Sequence, residues 1–175
     1  MDWEWDSDDE ETFTAYHEAG HAIIGCALGG EVDSVSLSQA SAYDDLDDAL
    51  PRRFGDCVVD WGRVDPQHPW QQQRELLTIL AGPVAEWVYR GNDTSELDAE
   101  SWALDWDHAR QCAAGMVAGR DKQAQLLRSV VGRLQKIIAE EPVWSAVAAL
   151  ADELMIGDPV GAERVDELVR FWWQN

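Results

Sequence analysis

The chain has 175 residues, of which 46% are hydrophobic, so it is long enough to bury a core as one domain and is not an intrinsically disordered chain. Its 34 acidic and 13 basic residues give a formal net charge of −21 at pH 7. Nucleic acids and anionic lipids are bound by neutralising their phosphates with Lys and Arg, so this charge argues against a nucleic acid or a membrane as partner.

Hydropathy and cysteine usage favour an intracellular, cytoplasmic protein. No apolar run approaches the roughly 20 residues that a helix needs to span a bilayer, and the acidic start of the chain is the opposite of a signal peptide's basic start. The three cysteines, Cys26, Cys57 and Cys112, are widely spaced and form no CxxC pair. The pattern therefore predicts neither a disulfide framework nor a thiolate zinc site.

Helical periodicity dominates the sequence and predicts a mostly α fold with a small β element, in a single domain over 12–175. Paired glycines at 29 and 30 and a further glycine at 91 are typical of helix ends. In chain order, the predicted elements are an acidic disordered tail over 1–11, a helix over 12–28, a strand over 32–37, a loop over 38–54, a short strand over 57–59, and helices over 70–89, 97–117, 121–139, 142–154 and 161–173.

The 32–37 segment alternates apolar and polar residues, as a half-buried strand does. Two roles are open for it. It is either an ordinary hairpin strand, paired with 57–59, or a strand whose edge accepts an extended peptide substrate by strand addition.

An HExxH motif lies inside the first predicted helix and consists of His17, Glu18 and His21. At 3.6 residues per turn, positions four apart differ by only about 40° around the helix axis, so both imidazoles project from one face and can share a metal ion. The small neighbours Ala19, Gly20 and Ala22 leave room for a second element to approach that metal. The motif therefore predicts a site for one Zn²⁺ per chain.

Each residue of the motif has a chemical role in this prediction. His17 and His21 bind Zn²⁺, which lowers the pKa of its bound water towards about 7 and polarises a substrate carbonyl. Glu18 lies on the same broad face, close enough to take a proton from that water and to deliver it to the leaving amine. It is predicted as the general base and not as a ligand.

The third protein ligand cannot be chosen from spacing alone. A catalytic zinc usually has three protein ligands and one open position. His68 is placed in a proline-flanked loop, where we expect an exposed side chain. Asp105 and His108 are three residues apart on a predicted helix, so both could face the first helix. Glu96 and Glu100 rank behind these two.

Four short stretches resemble, in the same order, the peptidase domain of the FtsH-type (M41) zinc metallopeptidases. Residues 16–23 read Tyr-His-Glu-Ala-Gly-His-Ala-Ile, and residues 80–86 read Leu-Ala-Gly-Pro-Val-Ala-Glu. Residues 104–110 are similar to that family's segment carrying an aspartate ligand, and 144–169 are similar to its closing helices. The resemblance thus covers about 12–170 through separate motifs.

The resemblance implies a helical, zincin-like peptidase domain of the FtsH type, in which His17, His21 and Asp105 bind zinc and Glu18 is the catalytic base. It implies a polypeptide substrate, and either a homo-oligomer or a separate ATPase as partner. The sequence shows neither the AAA ATPase module nor the transmembrane segment of the full-length family. We therefore expect an ATP-independent, stand-alone relative.

Two further residues could support the ligands. Glu86 lies in the apolar middle of a predicted helix, which is costly for a charge unless it is paired. It is either an exposed helix residue or the acceptor for the free N–H of a ligand histidine. His108 is the other candidate for such support. Trp102 and Trp106, on either side of Asp105, either line an apolar wall or only pack in the core.

The sequence thus predicts a zinc metalloendopeptidase that acts on unfolded or flexible polypeptide. Two alternatives remain, namely a catalytically silent peptidase-like domain that binds zinc or polypeptides as an adaptor, and a zinc hydrolase for a non-peptide amide. The presence of Glu18 favours an enzyme, because a structural zinc has no use for a base beside its ligands.

Overall fold

The structure is a computed structural model that describes residues 7–37, 52–54, 56–91 and 102–173. It is mostly helical with a small sheet, which confirms the predicted fold class at that level. The elements are α1 (Ser7–Ala27), β1 (Glu31–Val35), β2 (Arg52–Phe54), β3 (Cys57–Asp60), α2 (Pro69–Tyr89), α3 (Ala103–Met116), α4 (Arg120–Ile138), α5 (Glu141–Met155), β4 (Val160–Gly161) and α6 (Ala162–Trp173).

Helix α1 lies at the centre and contacts α2, α5, α6 and the sheet. Its approach to α2 depends on small side chains, since Ala15, Ala19 and Ala22 are all fully buried. A Cβ built on Gly20 would lie 2.5 Å from the carbonyl oxygen of Ala81 and 2.7 Å from Cβ of Ala85. The two helix backbones therefore meet at the level of the HExxH motif, because that turn carries glycine.

The sheet is antiparallel, with strand order β2-β3-β1-β4 among the described residues. Val35 of β1 lies opposite Cys57 of β3 on one side and Val160 of β4 on the other. β1 is therefore paired with β3 on one side and, at Ser34 and Val35, with β4 on the other. The pairing of 32–37 with 57–59 is confirmed. Strand addition by a peptide substrate stays a prediction, and β4 covers that edge at Ser34 and Val35.

One helix boundary and two short strands differ from the prediction, for physical reasons. Helix α1 begins at Ser7, so residues 7–11 are helical and the acidic stretch is not a tail throughout. Acidic side chains such as Asp9 and Glu10 are favourable in a first turn because the N-terminal end of a helix carries partial positive charge. The strands β2 and β4 were missed because two or three residues are too short to show an alternating pattern.

The remaining helices match their predicted positions within a few residues, apart from the start of α3, which begins at Ala103. The proposed start of that helix at 97 and most of the proposed 38–54 loop lie outside the described residues. Within the ranges that the structure describes, none of the helices combines the length and apolar character needed to cross a membrane. The fold thus packs α2 against both α1 and α3, the helices that carry the predicted ligands.

Candidate metal centre

Two histidines of α1 form the base of the site. His17 and His21 project from one face of the helix and are buried, with 7% and 0% of their surface exposed. Their rings meet edge to face, with centroids 4.9 Å apart. Both rings point away from solvent, so the groups that contact them decide their chemistry.

His17 is held between carboxylates from two other helices. Its Nδ1 lies 2.9 Å from Oε2 of Glu86 on α2, and its Nε2 lies 2.9 Å from Oδ2 of Asp105 on α3. Burial alone would lower the pKa of His17, but the hydrogen bonds to Asp105 and Glu86 outweigh it and raise that pKa to about 10. Without a metal, the imidazole is protonated at neutral pH and donates from both nitrogens.

His21 is positioned by the backbone of α2. Its Nδ1–H donates to the carbonyl oxygen of Thr78 at 2.8 Å. A Cβ built on Gly82 would lie 2.5 Å from Cε1 and 2.7 Å from Cδ2 of the His21 ring, so the glycine is what leaves room for that ring. Burial lowers the pKa of His21 to about 4, and the ring is neutral at neutral pH.

Asp105 lies in the first turn of α3 and is buried, with 6% of its surface exposed. Its Oδ1 lies 3.7 Å from Nε2 of His21, while its Oδ2 accepts from His17. Burial alone would raise the pKa of Asp105, but the neighbouring His21 and the hydrogen bond from His17 lower it. Asp105 therefore remains an ionised carboxylate that faces the Nε2 atoms of both histidines.

The donor set and its geometry fit a metal ion. The ligand atoms of His17, His21 and Asp105 all lie within 4.8 Å of one another. A tetrahedral zinc holds its ligand atoms about 3.4 Å apart, so small side-chain movements would close the group around the ion. Glu86 and the Thr78 carbonyl engage Nδ1 of the two histidines, which fixes the tautomers that present both Nε2 atoms to Asp105. The described residues thus include a buried group that could hold a metal ion.

Glu18 lies beside this group and is 5% exposed. Its Oε2 accepts a hydrogen bond from the backbone N–H of Asp56, the residue before β3, at 3.1 Å. Burial raises the pKa of Glu18 to about 8; the charge of His17 opposes this effect, and the charges of Asp56 and Asp105 add to it. The carboxyl group is therefore poised to gain or lose a proton near neutral pH.

Glu86 links the three helices of the site. Besides His17, it accepts a hydrogen bond from the indole N–H of Trp102 at 2.5 Å and one from the guanidinium group of Arg90. Trp102 is fully buried and directly precedes α3, so its bond to Glu86 fixes the start of the helix that carries Asp105. Burial alone would raise the pKa of Glu86, but the hydrogen bond from His17 and the neighbouring cations lower it. Glu86 is thus a paired, buried carboxylate.

The other candidate ligands lie elsewhere. His68 is exposed and caps α2, where its Nδ1 accepts the backbone N–H of Trp70 at 3.2 Å. His108 is half-buried on α3 and lowers the pKa of Asp105 through its charge, but it is not part of the converging group. Glu96 and Glu100 lie outside the described residues.

Several supporting groups were not predicted from the sequence. The Thr78 carbonyl is a main-chain atom, and any residue type supplies one, so no sequence signal marks it. Gly82 could have been suspected from its place in a helix interior, where glycine is unfavourable without a packing reason. Arg90 is four residues after Glu86, a spacing that predicts an ion pair on a helix. The bond from Trp102 to Glu86 joins residues of separate helices and had no local signal.

Comparison with models of known protein families and with curated proteins found no match. The geometry of the site itself therefore carries the functional argument. That geometry defines the class of site, which is a buried group of two histidines and one aspartate that could hold a metal ion.

Replacing Asp105 and His108 in turn tests which of these two residues of α3 is the third metal ligand. We expect Asp105→Ala to weaken zinc affinity by at least about 100-fold, because it removes one of three converging donors. We expect His108→Ala to change the affinity less than about threefold, since its side chain is outside the group. Competition with a chromophoric chelator measures both. A larger loss from His108→Ala than from Asp105→Ala would contradict this ligand assignment.

The titration of His17 predicts how metal binding depends on pH. Its pKa is raised from 6.5 in the unfolded chain to about 10 in the folded, metal-free protein. The stability that it contributes is therefore fully present below pH 6.5 and is lost as pH rises towards 10. Glu18, whose pKa is also raised, adds a loss of the same sign up to about pH 8.

Zinc binds the unprotonated imidazole, so the metal gains affinity over the range in which the metal-free protein loses stability. We expect the Tm in excess chelator to fall between pH 6.5 and 8.5, and the Tm increase on adding zinc to grow over that range. Differential scanning calorimetry measures both. A His17→Gln variant is the control and should show a flatter profile. A metal-free Tm that rises with pH, or the same slope in the variant, would contradict the assignment.

Proposed function

We propose that the chain is a zinc-dependent metallopeptidase of the FtsH (M41) type, with His17, His21 and Asp105 as ligands of one Zn²⁺ and Glu18 as the general base. One observation carries the proposal. Both histidines have Nδ1 engaged by acceptors, so both Nε2 atoms face an ionised Asp105, and a protonatable carboxyl group lies beside them. The motifs that resemble the peptidase family are the same residues that converge.

The chemistry divides between the metal and the chain. Zinc, when bound, acidifies an attacking water and polarises the carbonyl of the scissile bond. Glu18 accepts one proton from that water as the water oxygen bonds to the carbonyl carbon. Glu18 then gives this proton to the amide nitrogen as the C–N bond breaks, so that the amine leaves without negative charge. In the metal-free protein burial raises the pKa of Glu18 to about 8, which supports a proton-accepting role for this carboxyl group.

The burial of Glu18 favours an enzyme over a structural zinc domain. A carboxyl group without a task at a buried site is destabilising, because burial penalises its charged form. The hydrogen bond from Asp56 supports a second candidate, in which Glu18 braces the sheet and the domain binds polypeptide without cleaving it. The two candidates differ in whether loss of the Glu18 side-chain oxygens abolishes cleavage or lowers only the stability.

Metal removal tests the proposed function directly. The protein is loaded with one equivalent of zinc and assayed on fluorescein-labelled casein, an unfolded polypeptide. We expect cleavage to stop when dipicolinate removes the zinc and to return when one equivalent is added back. Asp105→Ala is the matched control, since it should neither retain zinc nor recover activity. Cleavage that persists at zero bound metal would overturn the proposal.

A further inference from the structure

A cavity of about 480 Å³ lies between α2, α3 and α4, distinct from the metal group. That volume is in the range of small-molecule binding sites, which are mostly apolar with a few polar groups. Its walls are formed by two tryptophans, two aliphatic side chains and a glycine, with three polar side chains beside them. The described residues that line it are Trp87, Trp106, Arg110, Leu127, Arg128, Val131, Gly132 and Gln135.

The charge of this cavity is opposite to that of the chain as a whole. Its described lining includes two of the chain's 13 basic residues, Arg110 and Arg128, and no aspartate or glutamate, although the chain has 34 acidic residues. Arg110 donates to Asp107 at 2.9 Å in an exposed ion pair, so a ligand carboxylate would share this guanidinium group with Asp107 or displace Asp107 from it. Both arginines are exposed, so they lie at the opening of the cavity. The interior of the cavity is lined by the apolar side chains.

Gly132 shows that the cavity has room for added atoms. A Cβ built on it would meet no heavy atom within 4 Å, although the residue lies within α4. Trp87, opposite, is 9% exposed, and Leu127 and Val131 are half-buried against the core. An apolar body in this space would lose part of its contact with water without displacing the groups around Gly132.

We propose that this cavity binds a small amphiphilic carboxylate, that is, an apolar body that ends in a carboxyl group. The tryptophan and aliphatic walls would bury the body, and the two guanidinium groups would hold the carboxylate through charge-assisted hydrogen bonds. This site is separate from the proposed peptidase activity and does not depend on it.

Isothermal titration calorimetry with decanoate tests the proposal on the full chain. We expect decanoate to bind with a Kd below about 1 mM at low salt. Decanol has the same apolar body without the charge and should bind at least about tenfold more weakly. An absence of decanoate binding, or equal binding of decanol, would overturn the proposal.

Variants locate the binding in the cavity. Gly132→Leu fills the space and should abolish decanoate binding, while an unchanged Tm and zinc stoichiometry show that the fold is intact. Arg110→Gln combined with Arg128→Gln should weaken binding at least about tenfold. Arg120→Gln combined with Arg133→Gln changes two exposed arginines of α4 outside the described cavity lining; it is the charge-matched control and should bind normally. Normal binding by Gly132→Leu, or by the double variant, would overturn the proposal.

Two kinds of molecule carry an apolar body that ends in a carboxylate. One is a free carboxylic acid, and the other is a peptide whose C-terminal residue is apolar. Titration with acetyl-leucyl-leucine beside decanoate separates a chain end from a free acid. Tighter binding of the peptide identifies the chain end, and tighter binding of decanoate identifies the free acid. Either result supports the proposed site, provided that Gly132→Leu abolishes the binding.

Discussion

Glu18→Gln is expected to retain zinc and to lose peptide-bond cleavage by at least about 100-fold in kcat/KM. Glutamine has the same shape, and its amide oxygen can still accept the hydrogen bond from Asp56 that the carboxylate accepts now. It cannot take a proton from water, which is the step assigned to Glu18. Cleavage of a fluorogenic peptide, together with metal content by mass spectrometry, measures the two effects separately.

The control for this variant is Glu163→Gln, an exposed glutamate in the first turn of α6, which should be fully active. A Glu18→Gln protein that cleaves as fast as wild type would contradict the base assignment. If Glu18→Ala, which removes the acceptor for Asp56, lost stability that Glu18→Gln kept, and the wild type showed no cleavage under any metal loading, the bracing role at Asp56 would be favoured. The Tm of each variant therefore belongs in the same experiment.

Gly82→Ala is expected to destabilise the protein by about 1–3 kcal/mol and to weaken zinc affinity by about 10- to 100-fold. The added Cβ would lie 2.5 Å from Cε1 and 2.7 Å from Cδ2 of His21, and the ring is fully buried. The ring cannot turn aside easily, because its Nδ1–H is bonded to the Thr78 carbonyl. Urea unfolding and chelator competition measure the two losses.

Gly115→Ala is a matched control, since Gly115 also lies within a helix and is exposed. A Cβ there would meet only Nε2 of Gln72, at 3.5 Å, which is ordinary contact. Alanine is better than glycine by up to about 1 kcal/mol in a helix interior, and Gly115 lies in the last turn of α3, so we expect this variant to gain a fraction of that stability. An equal gain from Gly82→Ala would show that the His21 ring is not confined as the structure has it.

The sequence predicted the helical framework because long amphipathic segments carry a repeated signal. The helix over 121–139 illustrates this, since its apolar face recurs through five turns and the structure places α4 at Arg120–Ile138. The start of α1 was predicted five residues late because acidic residues are common both in solvated tails and in first turns of helices. β2 was read as loop because three residues carry no periodicity.

The residues of the candidate site were also only partly predictable from the sequence. The HExxH spacing placed His17 and His21 on one face, because that follows from helix geometry alone. The choice between Asp105 and His108 did not follow from residues on one helix, since both could face inwards. It depends on how α3 is placed relative to α1. In the structure, the hydrogen bond from Trp102 to Glu86 positions the start of α3. Asp105, in the first turn of that helix, then contacts His17. Whether the group catalyses peptide hydrolysis stays a prediction.

His17 and Asp105 are 88 residues apart in the chain, yet their side chains touch. A metal held by both would act as a cross-link closing a loop of that length, and bringing distant segments together is entropically costly in an unfolded chain. An ion that binds only the folded form also lowers the population of open forms in proportion to its free concentration. Metal supply would then set the lifetime of the protein, and the metal-free form would itself become a substrate for proteolysis.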